Sequence, residues 1–406
     1  MVVFERNKVY HGYIADGESI IDEALLTVFL APNSYTGEDI IEISIHGGRY
    51  IYSKVSNLLH KSGAEFAEPG EFTKRAYLNG KLDLLQAEAV ADIIQAKTHS
   101  ASSLALKQLT GHYSKVINLI REDLINYCSL LELELDFSEE GIDIVSRETL
   151  LNKIEKLIVD INRLTRSYES GRILKNGINL AIIGKPNVGK SSIFNYLLNE
   201  NRAIVTEIPG TTRDYIKEPL IMGDIQFNLI DTAGIRETDD KIEIEGINRT
   251  HSIIKEADII IYVEDITKYS QDDFKINTDA DIIIYNKCDL INRAEITDKI
   301  ISVSAKTGEN MEKLQNMIIE KAYMLTGYSS YGQNSDIIIT NERHRNCLLK
   351  SCEYLVNAKD LILNDSGNEL ISFEIRAAMD ILAELIGKTY NVDILNNIFS
   401  KFCIGK

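Results

Sequence analysis

Apolar and polar positions alternate in different ways along the 406-residue chain, and each pattern predicts a different architecture. Over residues 1–79, Ala24 to Leu30 and Ile40 to His46 read as strands separated by the turn-rich segment PNSYTGED, which predicts a small α/β domain. After Gly80, Leu82, Leu85, Ala89 and Ile93, then Leu104 to Leu135, recur at helical spacing with few breakers as far as the acidic DFSEEGID. A second helical pattern runs from about Arg147 to Gly171. From Gly177 to about Leu325 short apolar runs alternate with helical stretches, as a doubly wound parallel sheet requires. GYSSYGQNSD, residues 327–336, reads as a linker. Beyond it, 340–364, 368–387 and 391–402 carry apolar positions three and four apart and are expected to pack with the helices of 80–172. The expected fold is therefore multi-domain, α/β plus α: an N-terminal α/β domain over 1–79, a helical domain in two parts, 80–176 and 327–406, and an inserted doubly wound domain over 177–326. An insert anchored at both ends in one helical body transmits its rotation to that body, which suits a switch. No internal repeat is present.

Composition narrows the class. Hydrophobic residues make up 44% and charged residues 26%, ordinary for a soluble globular chain. No apolar run reaches the roughly 18 residues of a membrane span, and no secretory leader is expected. The five cysteines, Cys128, Cys288, Cys347, Cys352 and Cys403, form no C-x-x-C pair, so neither a disulfide framework nor a zinc site is indicated and a reducing cytoplasm is the expected home. Lys plus Arg is 44 against 61 Asp plus Glu, a formal charge of −17 that repels polyanions. Tight RNA binding without a basic partner is not expected.

The chemistry centres on GKPNVGKS, residues 184–191, between the apolar run Ile178 to Ile183 and the helical stretch Ser192 to Leu198. Strand, Gly-rich turn and helix in that order form a phosphate cradle: Gly184 and Gly189 let backbone N–H groups close round a phosphate chain at the positive end of the helix. Asn187, Val188, Gly189, Lys190, Ser191 and Ser192 are the expected contacts. Lys190 meets the β- and γ-phosphates, and the Ser191 hydroxyl takes one position on Mg²⁺.

Four further segments follow in the order a Ras-like guanine-nucleotide switch needs. Thr212 of GTTRD would place its hydroxyl on Mg²⁺ only when a γ-phosphate is present, so the loop Thr206, Glu207, Ile208, Pro209, Gly210 and Thr211 before it is a switch. DTAG follows IQFNLI; Asp231 acts on Mg²⁺ through water, Thr232 and Ala233 line the same turn, and the Gly234 N–H reaches the γ-phosphate. NKCD supplies Asn286, Lys287 and Asp289, whose carboxylate accepts two hydrogen bonds from guanine that adenine cannot offer. Ser304, Ala305 and Lys306 follow ISV, where a backbone N–H contacts the guanine O6. Many switch proteins keep a glutamine after DTAG; here it is Ile235, which cannot orient water. Arg213 and Arg236 are candidate charge-stabilising fingers or merely solvated loop residues. Alternatively Asn187, with the carbonyls and hydroxyls of Thr206 to Thr211, ligates a monovalent cation where an arginine would sit, or Asn187 simply holds its loop.

With these residues assembled, the chain resembles the MnmE/TrmE family of tRNA modification GTPases over nearly its whole length, through PNSYTGEDIIEISIHGG, EPGEFTKRAYLNGKLDLLQAEAVADII, GKPNVGKSS, IVTEIPGTTRD, DTAGIRE and the terminal FCIGK. The resemblance implies a homodimer formed through folate-binding N-terminal domains, with two G domains meeting when K⁺ enters. By position, Asn187, Thr206, Ile208 and Thr211 match the K⁺ ligands, and Ser191 and Thr212 the Mg²⁺ ligands. Glu243 matches the catalytic glutamate that positions the attacking water through a bridging water. With the FAD-containing partner MnmG, the family modifies carbon 5 of the wobble uridine of certain tRNAs with a one-carbon unit from 5-formyl- or 5,10-methylene-tetrahydrofolate. Glu42, Lys81 and Lys406 match residues that hold the folate, and Cys403 is either a catalytic candidate or a buried, inert thiol. Family members usually begin with a glycine-rich strand and helix carrying a folate-contacting arginine, so the N-terminal domain is expected to be shortened. Two other functions fit parts of the pattern: a ribosome-assembly GTPase, which typically appends an RNA-binding module, and a GTP switch that binds no folate.

Overall fold

The structure is a computed structural model; it describes residues 4–136, 146–201, 217–230, 254–268, 280–291, 301–327, 337–389, 392–402 and 405. The chain forms two compact units, one from Met1–Gln95, Ala105–Val159 and Cys347–Lys406, the other from Ala96–Leu104 and Asp160–Asn346.

In the first unit, β1 (Lys8–Asp16), β2 (Ser19–Phe29) and β3 (Ile40–Ser44) make an antiparallel sheet in that order. Val9 lies opposite Thr27, and Leu25 opposite Ser44. Strand alternation puts Ala24 and Val28 on the buried face, while Val9, Tyr13 and Leu25 stay exposed on the other. β1 is an element the sequence reading did not single out, because KVYHGYIAD interleaves polar residues with its apolar ones and has no buried run. Helices α1 (Arg49–Lys61), α2 (Glu71–Leu78) and α3 (Leu84–Gln95) follow.

The helical stretch expected over Leu104 to Leu135 is two helices, α4 (His99–Leu109) and α5 (His112–Asp136). The first ends where the Gln86 side-chain amide donates to the Leu109 carbonyl at 2.9 Å, meeting one of the acceptors a helix end leaves open. Likewise the pattern from Arg147 is α6 (Arg147–Arg166) and α7 (Tyr168–Asn176), broken where the Ser167 hydroxyl donates to the Leu164 carbonyl at 2.6 Å.

Within the first unit α5 packs on the second of three later helices, α10 (Glu342–Leu363), α11 (Asn368–Leu385) and α12 (Val392–Phe399). Cys128 on α5 contacts Ser372 on α11, and Glu132 pairs with Arg376 one turn further on. The end of the chain is held by aromatic packing: Phe399 and Phe402 bury against Tyr77 and Leu84, and the Tyr77 hydroxyl donates to the Gly387 carbonyl at 2.6 Å.

The second unit holds a five-stranded sheet ordered β5 (Lys217–Met222), β6 (Ile225–Ile230), β4 (Ile178–Gly184), β7 (Ile259–Asp265) and β8 (Ile282–Asn286). It is mixed rather than wholly parallel as expected: β6, β4, β7 and β8 run parallel, and edge strand β5 runs antiparallel to β6. The reason is local. β5 and β6 are joined by the two-residue turn Gly223–Asp224, with φ of 56° and 60°, the left-handed geometry that suits a tight hairpin. β4, with paired strands on either side, is apolar along most of its length because both faces are covered. Leu180, Ile182, Phe227, Leu229, Ile259 and Ile261 form the core with α8 (Lys190–Asn201) and α9 (Met311–Thr326). No helix among the described residues is long and apolar enough to cross a membrane.

Candidate nucleotide site

The site lies at the carboxyl ends of the parallel strands, where loops leave the sheet beside a helix N-terminus. β4 delivers the chain into residues 184–189, and α8 begins at Lys190. Gly189 has φ of 99°, and a Cβ built there would stand 2.1 Å from the Asn286 side-chain nitrogen, so only glycine fits. Asn187 is left-handed as well, at φ 63°. The Lys190 ammonium donates to the carbonyls of Gly184 and Lys185, both at 2.9 Å, curling back over its own loop. Ser191 and Ser192 lie exposed on the first turn of α8, whereas Val188 is buried.

β8 brings the second segment to the same place. Asn286 is 3% exposed; its side-chain nitrogen donates to the Val188 carbonyl at 2.9 Å, and its oxygen accepts from the Ala305 N–H at 3.2 Å. Lys287 is left-handed at φ 70°, and its ammonium donates to the Asn187 carbonyl at 2.9 Å and to the Asp265 carboxylate at 2.5 Å. Asp289 accepts from the buried Ser304 hydroxyl at 2.7 Å, and that oxygen in turn accepts from the Thr307 N–H at 3.2 Å. Segment 301–303 continues the sheet beside β8 through Tyr285 and Val303, so Ser304, Ala305 and exposed Lys306 emerge next to Asn286. The phosphate loop, NKCD and SAK thus form one hydrogen-bonded frame.

Asp265, at the end of β7, is a member of this frame that the sequence reading missed. Burial works to raise its carboxyl, but hydrogen bonds from Lys287 and from the Thr267 hydroxyl and N–H outweigh that and hold it below the usual carboxylate range. The available signal was an acid closing the apolar run IIIYVED at the strand end that faces the phosphate loop.

Thr206, Glu207, Ile208, Pro209, Gly210, Thr211, Thr212, Arg213, Asp231, Thr232, Ala233, Gly234, Ile235, Arg236, Glu243, Cys403 and Lys406 lie outside the described residues. In the other unit, Glu42 is exposed on β3, and the exposed Lys81 donates to the Pro32 carbonyl at 3.1 Å. Nearby in sequence, Thr36, Glu38, Phe66, Glu71 and Arg75 line a cleft of about 420 Å³. Arg75 pairs with Glu71 at 2.5 Å and Glu38 at 3.1 Å; these hydrogen bonds raise the guanidinium above its ordinary value and lower both carboxyls.

Residues 84–403 match the family model described as the MnmE helical domain, and residues 3–81 that of the GTP-binding protein TrmE N-terminus. The chain is 43% identical over 406 residues to the tRNA modification GTPase MnmE of Carboxydothermus hydrogenoformans, covering 97% of this chain and 87% of that one. It is 39% identical over 419 residues to MnmE of Chlorobium chlorochromatii, covering 98% and 88%. Among solved structures, a point variant of Aquifex aeolicus Era bound to GDP and AlF₄⁻ is 25% identical, with a TM-score of 0.28 over 44% of this chain and 66% of that one. Identity of this order along nearly the whole length, and a phosphate loop tied directly to the NKCD segment, leave one conclusion: the chain is a GTP hydrolase and belongs to the MnmE family of tRNA modification GTPases.

Proposed function

We propose that this GTPase is K⁺-dependent and that, as a homodimer with an MnmG-type FAD protein, it installs an aminomethyl or carboxymethylaminomethyl group at C5 of the wobble uridine, using a tetrahydrofolate one-carbon unit. The observation that carries the GTPase part is the double staple from Asn286 and Lys287 to the consecutive carbonyls of Val188 and Asn187. It holds the phosphate cradle and the base-reading carboxylate of Asp289 in one frame before nucleotide arrives, so little reorganisation is left to binding.

In this reading residues 177–326 are the G domain, and GTP is held by 187–192, Asp289 and 304–306, with 206–212 and 231–234 as its further contacts. Mg²⁺ would be held by Ser191 and Thr212, and K⁺ by Asn187, Thr206, Ile208 and Thr211. Asn187 is placed for this: it stands exposed on the phosphate loop, with its backbone left-handed at φ 63°. When bound there, K⁺ would supply positive charge against the transferring phosphoryl group in place of an arginine, while Glu243 would position the water. GTP turnover should rise in K⁺ over Na⁺ at equal ionic strength; equal rates would remove the cation from the mechanism.

Residues 1–79 form the folate and dimerisation domain in this proposal, and 80–176 with 327–406 the helical body. The open sheet face bearing Val9, Tyr13 and Leu25 offers the apolar surface that pairing would bury. Phe399 and Phe402 pack on Tyr77 and Leu84, two residues that flank Lys81 in sequence. This favours a folate site shared by Glu42, Lys81 and Lys406, in the cytoplasm where tRNA and folate are both present. Calorimetric titration with 5-formyltetrahydrofolate tests the site, and mass analysis of wobble uridine from a deletion strain carrying this chain tests the modification. An unmodified uridine despite intact GTP turnover would leave a switch alone.

A further inference from the structure

Lys287 and its surroundings carry an inference that rests on reading 286–289 as the base-recognition segment. A lysine ammonium has three N–H bonds on a flexible stem, so its position must be imposed from outside. Here two acceptors impose it, the Asn187 carbonyl at 2.9 Å and the Asp265 carboxylate at 2.5 Å. Asp265 is itself fixed: it is 7% exposed, and its other oxygen accepts from the Thr267 hydroxyl at 2.7 Å and the Thr267 N–H at 3.1 Å. The chain is therefore Thr267, Asp265, Lys287, Asn187, running from the end of β7 across the end of β8 into the phosphate loop.

We infer that Asp265 is a positioning residue for nucleotide binding: its carboxylate clamps Lys287 against the phosphate loop, so that the base-reading segment and the phosphate cradle stay in register. Asn286 alone does not do this. It ties the neighbouring carbonyl of Val188 by a neutral hydrogen bond, whereas the Lys287 clamp is charge-assisted at its Asp265 end. Removing the carboxylate frees the ammonium to leave the Asn187 carbonyl. The nucleotide then meets a loop and a base site that move independently, and it dissociates faster.

The test measures release of a fluorescent GDP from the full chain in K⁺ and Mg²⁺ by stopped flow. Asp265→Asn should speed release about tenfold and Lys287→Met by at least as much, while the double variant should be no faster than Lys287→Met alone, since both remove one clamp. Asp265→Glu, which keeps the charge, should recover part of the loss. Release from Asp265→Asn within twofold of the parent chain, or a lowered melting temperature with release unchanged, would overturn the inference. So would full additivity in the double variant. A parent chain that binds fluorescent ADP as tightly as GDP overturns the base-recognition reading itself, an outcome separable from the behaviour of Asp265.

Discussion

The two sheets of this protein hold their candidate functional residues in opposite ways. In the five-stranded sheet, Asn286, Asp265 and Ser304 are buried, and each makes hydrogen bonds that cross from one segment to another. In the three-stranded sheet, Glu42 is exposed on an open face, and after the sheet Lys81 is exposed with its ammonium on the Pro32 carbonyl. The difference is physical. A buried polar network must be satisfied within the fold and is therefore rigid, whereas exposed charges are satisfied by water and become fixed only when a ligand or second subunit excludes it. The nucleotide site is preorganised by its own chain, whereas Glu42 and Lys81 stand exposed to solvent.

The sharpest way to break this comparison is Gly189→Ala. A methyl group at φ 99°, placed 2.1 Å from the Asn286 nitrogen, must displace the loop or the staple. Nucleotide affinity should fall at least about 100-fold in a fluorescence titration, with about 2–4 kcal/mol lost from stability in urea. If this variant bound GDP normally, the frame would not be rigid. Asn286→Ala leaves the Val188 carbonyl and Ala305 N–H without their partner, and about 2 kcal/mol of stability should go with it. Asp224→Ala comes next. Its carboxylate accepts from His99 N–H at 2.8 Å and Ser100 N–H at 3.0 Å, capping α4 from the β5–β6 turn. Loss of the cap should remove about 1 kcal/mol.

On the exposed side, Glu42→Gln with Lys81→Met should shift stability by less than about 0.5 kcal/mol in the same urea titration. Calorimetry should nevertheless show folate affinity falling about tenfold or more. A large stability loss would mean that these residues are part of a frame after all. The smallest effect concerns pH. Asp83 is raised above the ordinary carboxylate value, chiefly by burial. A carboxyl raised on folding contributes stability below its unfolded value and loses that contribution as pH rises through its folded value. Asp83→Asn keeps an acceptor for the Gln86 N–H and should melt slightly higher than the parent at pH 7–8, with the gap closing towards pH 4.

Legibility in the sequence followed the range of the interactions. GKPNVGKS, NKCD and SAK were readable because each is a short segment at a strand end, where spacing alone states the chemistry. Asp265 showed in the sequence only as an acid ending an apolar run; its pairing with Lys287 was not readable, since 22 positions separate the two and only the adjacency of β7 and β8 brings them together. The breaks between α4 and α5 and between α6 and α7 escaped the apolar period, because they turn on capping bonds from Gln86 and Ser167 and the hydrophobic pattern runs straight through them. The antiparallel edge strand is a related case. A two-residue turn at Gly223–Asp224 was local enough to see, but helical and parallel-strand alternation dominated the reading around it.

By itself the sequence determined the family, the phosphate-binding and base-reading motifs and the broad alternation of α/β and helical segments, because phosphate cradles and apolar periods are written in contiguous residues. Only tertiary structure decided that Asn286 and Lys287 grip successive carbonyls of the phosphate loop, that Asp265 grips Lys287, and that Phe399 and Phe402 seat the tail on α2 and α3. Those contacts join residues from about 20 to more than 300 positions apart, and no local preference of the chain specifies which distant partner will be there when the core closes.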